Sequence, residues 1–146
     1  MKVFLADDSH AVLERIREML SSLPEIEIIG WASDVPEALD SIRETKPEAV
    51  ILDLAMPNGS GIEVLKTIKH ERPETIVVVL TNYAFPQHRR RCVEAGADAF
   101  LDKSAEFAEI PQVLRRLGKR AGYIQESHAS SGVAVRPESQ ERADLR

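Results

Sequence analysis

Five short apolar runs, each followed by a stretch of helical period, leave this chain few ways to fold. Lys2–Asp7 has an almost continuous apolar centre, as a strand covered on both faces should. Ser9 or Asp8 can cap the helix that follows, where Val12, Leu13, Ile16, Met19, Leu20 and Leu23 recur at helical spacing. Pro24 then stops it. Ile26–Ala32 reads as a second strand, and Ser33 or Asp34 caps a helix with Val35, Ala38, Leu39 and Ile42 on one face. Ala49–Asp53, Thr75–Thr81 and Ala99–Leu101 read as the third, fourth and fifth strands. Between them lie a helix carrying Ile62, Leu65 and Ile68 and another from about Pro86 to Ala95, with Gly96 as its cap. The last helix presents Phe107, Ile110, Leu114 and Leu117, and Pro111 should distort its first turn. This alternation predicts an α/β fold, a doubly wound five-stranded parallel sheet with helices on both faces.

The 146 residues suit one domain, expected over residues 1–120. Residues 121–146 are rich in Ser, Gly, Gln and charge without a sustained apolar period, which predicts a disordered tail. Two aspartates within the first strand length predict no signal peptide, and no apolar run approaches the roughly 20 residues of a membrane span. A single cysteine, Cys92, fits a reducing cytoplasm and reads as a buried small hydrophobe. The net charge of −5 argues against wholesale nucleic-acid binding.

Ligands of open parallel α/β sheets bind beyond the carboxyl ends of the strands, where strand order reverses. The strand ends here carry Asp7 and Asp8, Asp53, Thr81 and Lys103. If the first and third strands are neighbours, three carboxylates share one crevice. Two unit charges about 4 Å apart repel by about 4 kcal/mol at an effective dielectric of about 20, so the cluster calls for a cation. A hard divalent ion with oxygen ligands, Mg²⁺, suits it. One carboxylate can then attack a phosphoryl donor and form an aspartyl phosphate. Asp53 is the expected nucleophile, because it stands alone at a central strand end beside the turn-forming run Met56–Gly61. Lys103 and the Thr81 hydroxyl are suited to two of the phosphoryl oxygens.

These motifs carry a resemblance. Ala6-Asp7-Asp8, Leu52-Asp53-Leu54-Ala55-Met56-Pro57, Gly59 and Gly61, Leu80-Thr81, Gly96-Ala97 with Phe100, and Asp102-Lys103-Ser104 together resemble the receiver domain of two-component response regulators, over residues 2 to about 117. The resemblance implies a flavodoxin-like (βα)5 fold with strand order 2-1-3-4-5. It implies that Asp53 takes its phosphoryl group from a histidine kinase or histidine phosphotransferase. Mg²⁺ would be held by Asp8, Asp53 and the backbone carbonyl of Ala55, with Asp7 in support. Thr81 and Phe100 would form the switch, the ring following the hydroxyl inward and altering a face on the fourth helix, fifth strand and fifth helix. Asn82 stands where a small residue is common, and Phe100 offers no ring hydroxyl.

Roughly 29 residues follow the last helix, too few for a second core, so no DNA-binding output domain is expected. Output would pass through an unidentified downstream protein, through onward phosphoryl transfer, or through a homodimer on the same face. Arg89, Arg90 and Arg91, with Arg115 and Arg116, are the expected partner face; aromatic residues do not interleave with them, which disfavours nucleic acid. His10 reads as exposed near the site and Trp31 as packing. A signalling domain rather than an enzyme is the resulting expectation. The alternative is a Mg²⁺-dependent aspartyl-nucleophile phosphatase, whose usual Asp-x-Asp spacing Asp7-Asp8-Ser9 lacks. A flavin-binding module would need a phosphate loop where the two aspartates stand.

Overall fold

The computed structural model describes residues 1–125. Strands and helices alternate along the chain: β1 (Lys2–Ala6), α1 (His10–Ser21), β2 (Glu27–Ala32), α2 (Val35–Thr45), β3 (Ala49–Leu52), α3 (Gly61–Glu71), β4 (Ile76–Thr81), α4 (Pro86–Glu94), β5 (Ala99–Asp102) and α5 (Ile110–Ala121). The strands form one parallel sheet in the order β2-β1-β3-β4-β5. This is the flavodoxin-like doubly wound architecture, with the reversal of strand order at β1 and β3. The strand boundaries lie within one residue of those read from the sequence, whereas α1 ends at Ser21, before the last residues of its apolar period, and α5 begins at Ile110 rather than Phe107.

The capping chemistry is specific. Ser9 accepts a hydrogen bond from the Val12 amide at the start of α1, and Asp34 accepts one from Glu37 at the start of α2. Gly96 adopts a left-handed φ of +101° just past α4, where a side chain would be strained. Before α5 a 3-10 turn, Phe107–Glu109, takes up the chain where Pro111 cannot donate a hydrogen bond.

Side chains of the central strands alternate between two cores, as the period of two requires. Val3, Leu5, Ile51, Val78 and Leu80 face α1 and α5, whereas Phe4, Val50, Leu52, Val77 and Val79 face α2, α3 and α4. Each large apolar side chain buried this way contributes about 1.5–3 kcal/mol. Cys92 is fully buried in the second core, as a small hydrophobe would be.

The ordered domain continues past the boundary expected at residue 120. Gly122 ends α5 in a left-handed turn, and the amides of Tyr123 and Ile124 both donate to the Gly118 carbonyl. The Tyr123 hydroxyl donates to the Glu74 carbonyl at 2.8 Å, and Ile124 is buried. Two apolar residues were too few to register as a period, yet α5 and the chain start leave a place for them. The rest of the expected tail, residues 126–146, lies outside the described residues.

Candidate functional site

Asp7 and Asp53 become neighbours because β1 and β3 pair. The Asp53 amide donates to the Ala6 carbonyl at 2.9 Å, which carries the β1–β3 ladder one residue past the strands. The Asp7 amide donates to Ala32 on the other side at 3.1 Å, and its Oδ1 accepts from the Ser9 amide at 2.9 Å. Asp53 Oδ1 in turn accepts from the Ala55 amide at 3.2 Å. Both carboxylates are almost wholly buried, while Asp8 is exposed at the rim.

Lys103 reaches the same crevice from the end of β5. Its Nζ lies 2.9 Å from Asp7 Oδ2 and 3.2 Å from Asp53 Oδ2, so one ammonium bridges two strands. The backbone that aims it is fixed twice. The Lys103 amide donates to the Thr81 carbonyl at 2.8 Å, and Asp102 Oδ1 accepts from both the amide and the hydroxyl of Ser104 at 2.9 Å. These Asp102 bonds hold its carboxyl below the usual range, the Ser104 hydroxyl first. Sequence reasoning gave Asp102 no role; its Asp-x-Ser spacing, an Asx-turn pattern, was the available signal.

One lysine does not balance two buried carboxylates. Burial, and then the charge of Asp7, push the Asp53 carboxyl above its usual pKa, despite the opposing pull of Lys103 and the Ala55 amide. Burial also works against the charge on Lys103, but the hydrogen bond to Asp7 and the charge of Asp53 outweigh it and hold its pKa above the ordinary value. The crevice is therefore short of positive charge. Carboxylate oxygens of Asp7, Asp8 and Asp53 lie within 4.8 Å of one another, and this all-oxygen set can hold a hard divalent cation. The donor chemistry thus fits Mg²⁺.

Gly61 sets the backbone under Asp53. Its amide donates to the Leu54 carbonyl at 2.9 Å, and a Cβ there would stand 2.6 Å from Leu54 Cα. Only glycine lets α3 begin this close to the end of β3.

The other predicted residues fall into separate places. Thr81 ends β4, is fully buried, and its Oγ1 accepts from the Tyr83 amide at 3.0 Å. Phe100 in β5 is buried in the core facing α4, with the Arg89 guanidinium 4.8 Å above its ring. Ala55, Asn82 and Tyr83 are exposed around the crevice, as is His10 at the first position of α1. Arg90 and Arg91 are exposed on α4, and Arg116 on α5.

Two expectations need correction. Arg115 does not join the α4 arginines: its Nε donates to Glu25 Oε2 at 2.6 Å, tying α5 to the segment before β2. Trp31 is not packing in the core but 48% exposed, because β2 is the sheet edge, with the Arg17 guanidinium 4.5 Å over its ring.

An acidic crevice at the switch point of a 2-1-3-4-5 parallel sheet, crossed by a lysine from the last strand, defines a narrow class of α/β proteins. Residues 3–115 match the family model of the response regulator receiver domain, and the chain belongs to that family. It is 38% identical over 110 residues to an uncharacterized transcriptional regulatory protein, YhcZ, of Bacillus subtilis, covering 75% of this chain and 51% of the relative. It is 35% identical to a protein-glutamate methylesterase/protein-glutamine glutaminase of Geobacter sulfurreducens, covering 99% of this chain and 39% of that one. Among solved structures it resembles the isolated receiver domain of RcsB from Salmonella enterica serovar Typhimurium, determined with the phosphomimetic BeF3−. The TM-score is 0.77 at 27% identity, over 82% of this chain and 88% of that one. The response regulator domain of Thermotoga maritima CheB gives 0.73 at 27% identity, over 84% and 96%. The chain spans about half the length of YhcZ and less of the methylesterase, so the activities of those whole proteins are theirs. Among the described residues no helix is long and apolar enough to cross a membrane.

Proposed function

We propose that the chain is a cytoplasmic phosphoacceptor of a two-component or phosphorelay pathway, with Asp53 as the residue phosphorylated. The observation that carries the reading is the Lys103 ammonium shared by Asp7 and Asp53, beside Asp8, at the carboxyl ends of β1 and β3. Asp8, Asp53 and the Ala55 carbonyl, supported by Asp7, would hold Mg²⁺. When bound, the ion supplies positive charge that offsets the carboxylates and the incoming phosphoryl oxygens.

An Asp53 oxygen attacks the phosphorus of a phosphohistidine on a histidine kinase or phosphotransferase. The new O–P bond forms as the P–N bond breaks, and the electron pair leaves on the imidazole nitrogen. Lys103 pairs with one phosphoryl oxygen, and the Thr81 hydroxyl donates to another. Phe100, its ring buried against α4, is the second residue of that switch. The chain promotes only its own phosphorylation and dephosphorylation, and has no turnover of other substrates. Output goes through a protein contact on the α4 side, with a downstream protein or a second copy. Support for that face comes from the exposed arginines 89–91 and from Tyr83, Phe85 and Val93, each more than half exposed.

Acetyl phosphate with Mg²⁺ adds one phosphoryl group to the wild-type chain by intact mass, and Asp53→Ala abolishes the addition. Single-site labelling that persists in Asp53→Ala overturns the assignment. Rapid turnover of small phosphate esters favours a phosphatase instead.

A further inference from the structure

The segment joining β4 to α4 is held through both backbone groups of one residue. The Tyr83 amide donates to Thr81 Oγ1 at 3.0 Å. The Tyr83 carbonyl accepts from Nδ1–H of His88 at 2.8 Å, a bond that runs from the first turn of α4 back across the loop. That turn is rigid in its own right, since the amides of His88 and Arg89 both donate to the Phe85 carbonyl. The cap position is Phe85, which supplies no side-chain capping bond, so His88 is the polar side chain that fastens this loop to the helix. Its ring also packs against Phe85, with centroids 5.5 Å apart.

A hydroxyl oxygen occupies one rotamer position at a time. If Thr81 turns toward a phosphoryl group, the Tyr83 amide loses its acceptor and the loop loses one of the two bonds that keep it from shifting. The His88 bond, anchored on α4, opposes that shift. We propose that His88 is a positioning residue of the switch: by holding the Tyr83 carbonyl it stabilises the arrangement in which the Thr81 hydroxyl is bonded to the Tyr83 amide. The inference rests on the roles given above to Asp53 and Thr81. A net hydrogen bond of this kind biases a two-state equilibrium by about fivefold, and a ligand of the other state binds more weakly by the same factor.

The test is a titration of the full chain with beryllofluoride and Mg²⁺, following the Thr81 and Tyr83 amide signals by NMR. His88→Ala removes the bond. His88→Asn keeps it, since the asparagine side-chain nitrogen lies close to where histidine Nδ1 does and also donates. His88→Ala is expected to bind beryllofluoride about fivefold more tightly than wild type, with His88→Asn returned to the wild-type value. Equal affinity in all three proteins overturns the inference, as does weaker binding by His88→Ala. Wild-type binding with unequal variants of the expected order supports it. If the wild-type chain does not bind beryllofluoride at all, the reading of Asp53 falls and takes this one with it.

Discussion

Asp53 carries its charge where burial and Asp7 both disfavour it, and this has a thermodynamic sign. Its carboxyl pKa in the folded protein is raised above the unfolded value. The native state therefore holds the proton more tightly than the unfolded chain, and stability falls as pH rises from the ordinary carboxylate range of about 4. Once the pH is above that raised value, the metal-free protein bears the full penalty. Asp53→Asn removes it, while Lys103 keeps Asp7 at 2.9 Å as its partner. In chelated buffer at pH 7, urea unfolding should find Asp53→Asn more stable than wild type by on the order of 1 kcal/mol. The gain should shrink below about pH 4, where Asp53 is protonated in both states. Added Mg²⁺ should stabilise the wild type more than the variant. A less stable Asp53→Asn at pH 7 would mean that attraction to Lys103 outweighs burial.

At the scale of elements, the start of α3 shows how packing and chemistry meet. Ser60 and Gly61 are adjacent, but they act differently. Ser60 Oγ accepts from the Ile62 amide and caps the helix, whereas Gly61 allows the helix to lie against the Asp53-Leu54 backbone. Ser60→Ala should cost about 1 kcal/mol and leave acetyl phosphate labelling unchanged. Gly61→Ala should cost about 1–3 kcal/mol through overpacking. By displacing Asp53 it should also slow labelling by about tenfold to a hundredfold. Equal labelling rates in the two folded variants would separate Gly61 from the geometry of Asp53. The elements themselves were legible in the sequence because each apolar period ends on a residue that caps or breaks it: Ser9, Asp34, Pro86, Gly96. The strand-end residues were legible for the same reason. Periodicity alone does not order the strands, whose order here comes only from the resemblance, and it shows no contacts distant in sequence. Trp31 reads as packing until β2 is known to be the edge strand. Arg115 reads as a surface charge until α5 brings it, 90 residues on, against Glu25. Even the bridge of Lys103 to Asp7 and Asp53 required β4 to lie between β3 and β5.

The molecule as a whole separates its chemistry from part of its stability along the strand axis. The acidic crevice occupies the carboxyl ends of the strands. Ile124 and Tyr123 close the other end, where Ile124 and the Met1 side chain crowd Gly118, and Tyr123 bonds the segment before β4. A strand of five residues spans about 17 Å, so the two ends share no side-chain contact. Ile124→Ala removes buried apolar volume at a peripheral site, which should cost about 2 kcal/mol, the low end of such substitutions. For a domain of this size that lowers Tm by about 5–10 °C. Labelling of Asp53 by acetyl phosphate, measured well below the transition, should keep its wild-type rate. The pairing of outcomes is the point of the experiment. A sheet whose strands are short and buried on both faces transmits displacement along its length only if the cores on both sides shift with it. If Ile124→Ala slows labelling at a temperature where the protein is fully folded, the far end of the sheet sets the geometry of the crevice, and the docked segment after α5 is coupled to the site rather than merely closing the fold.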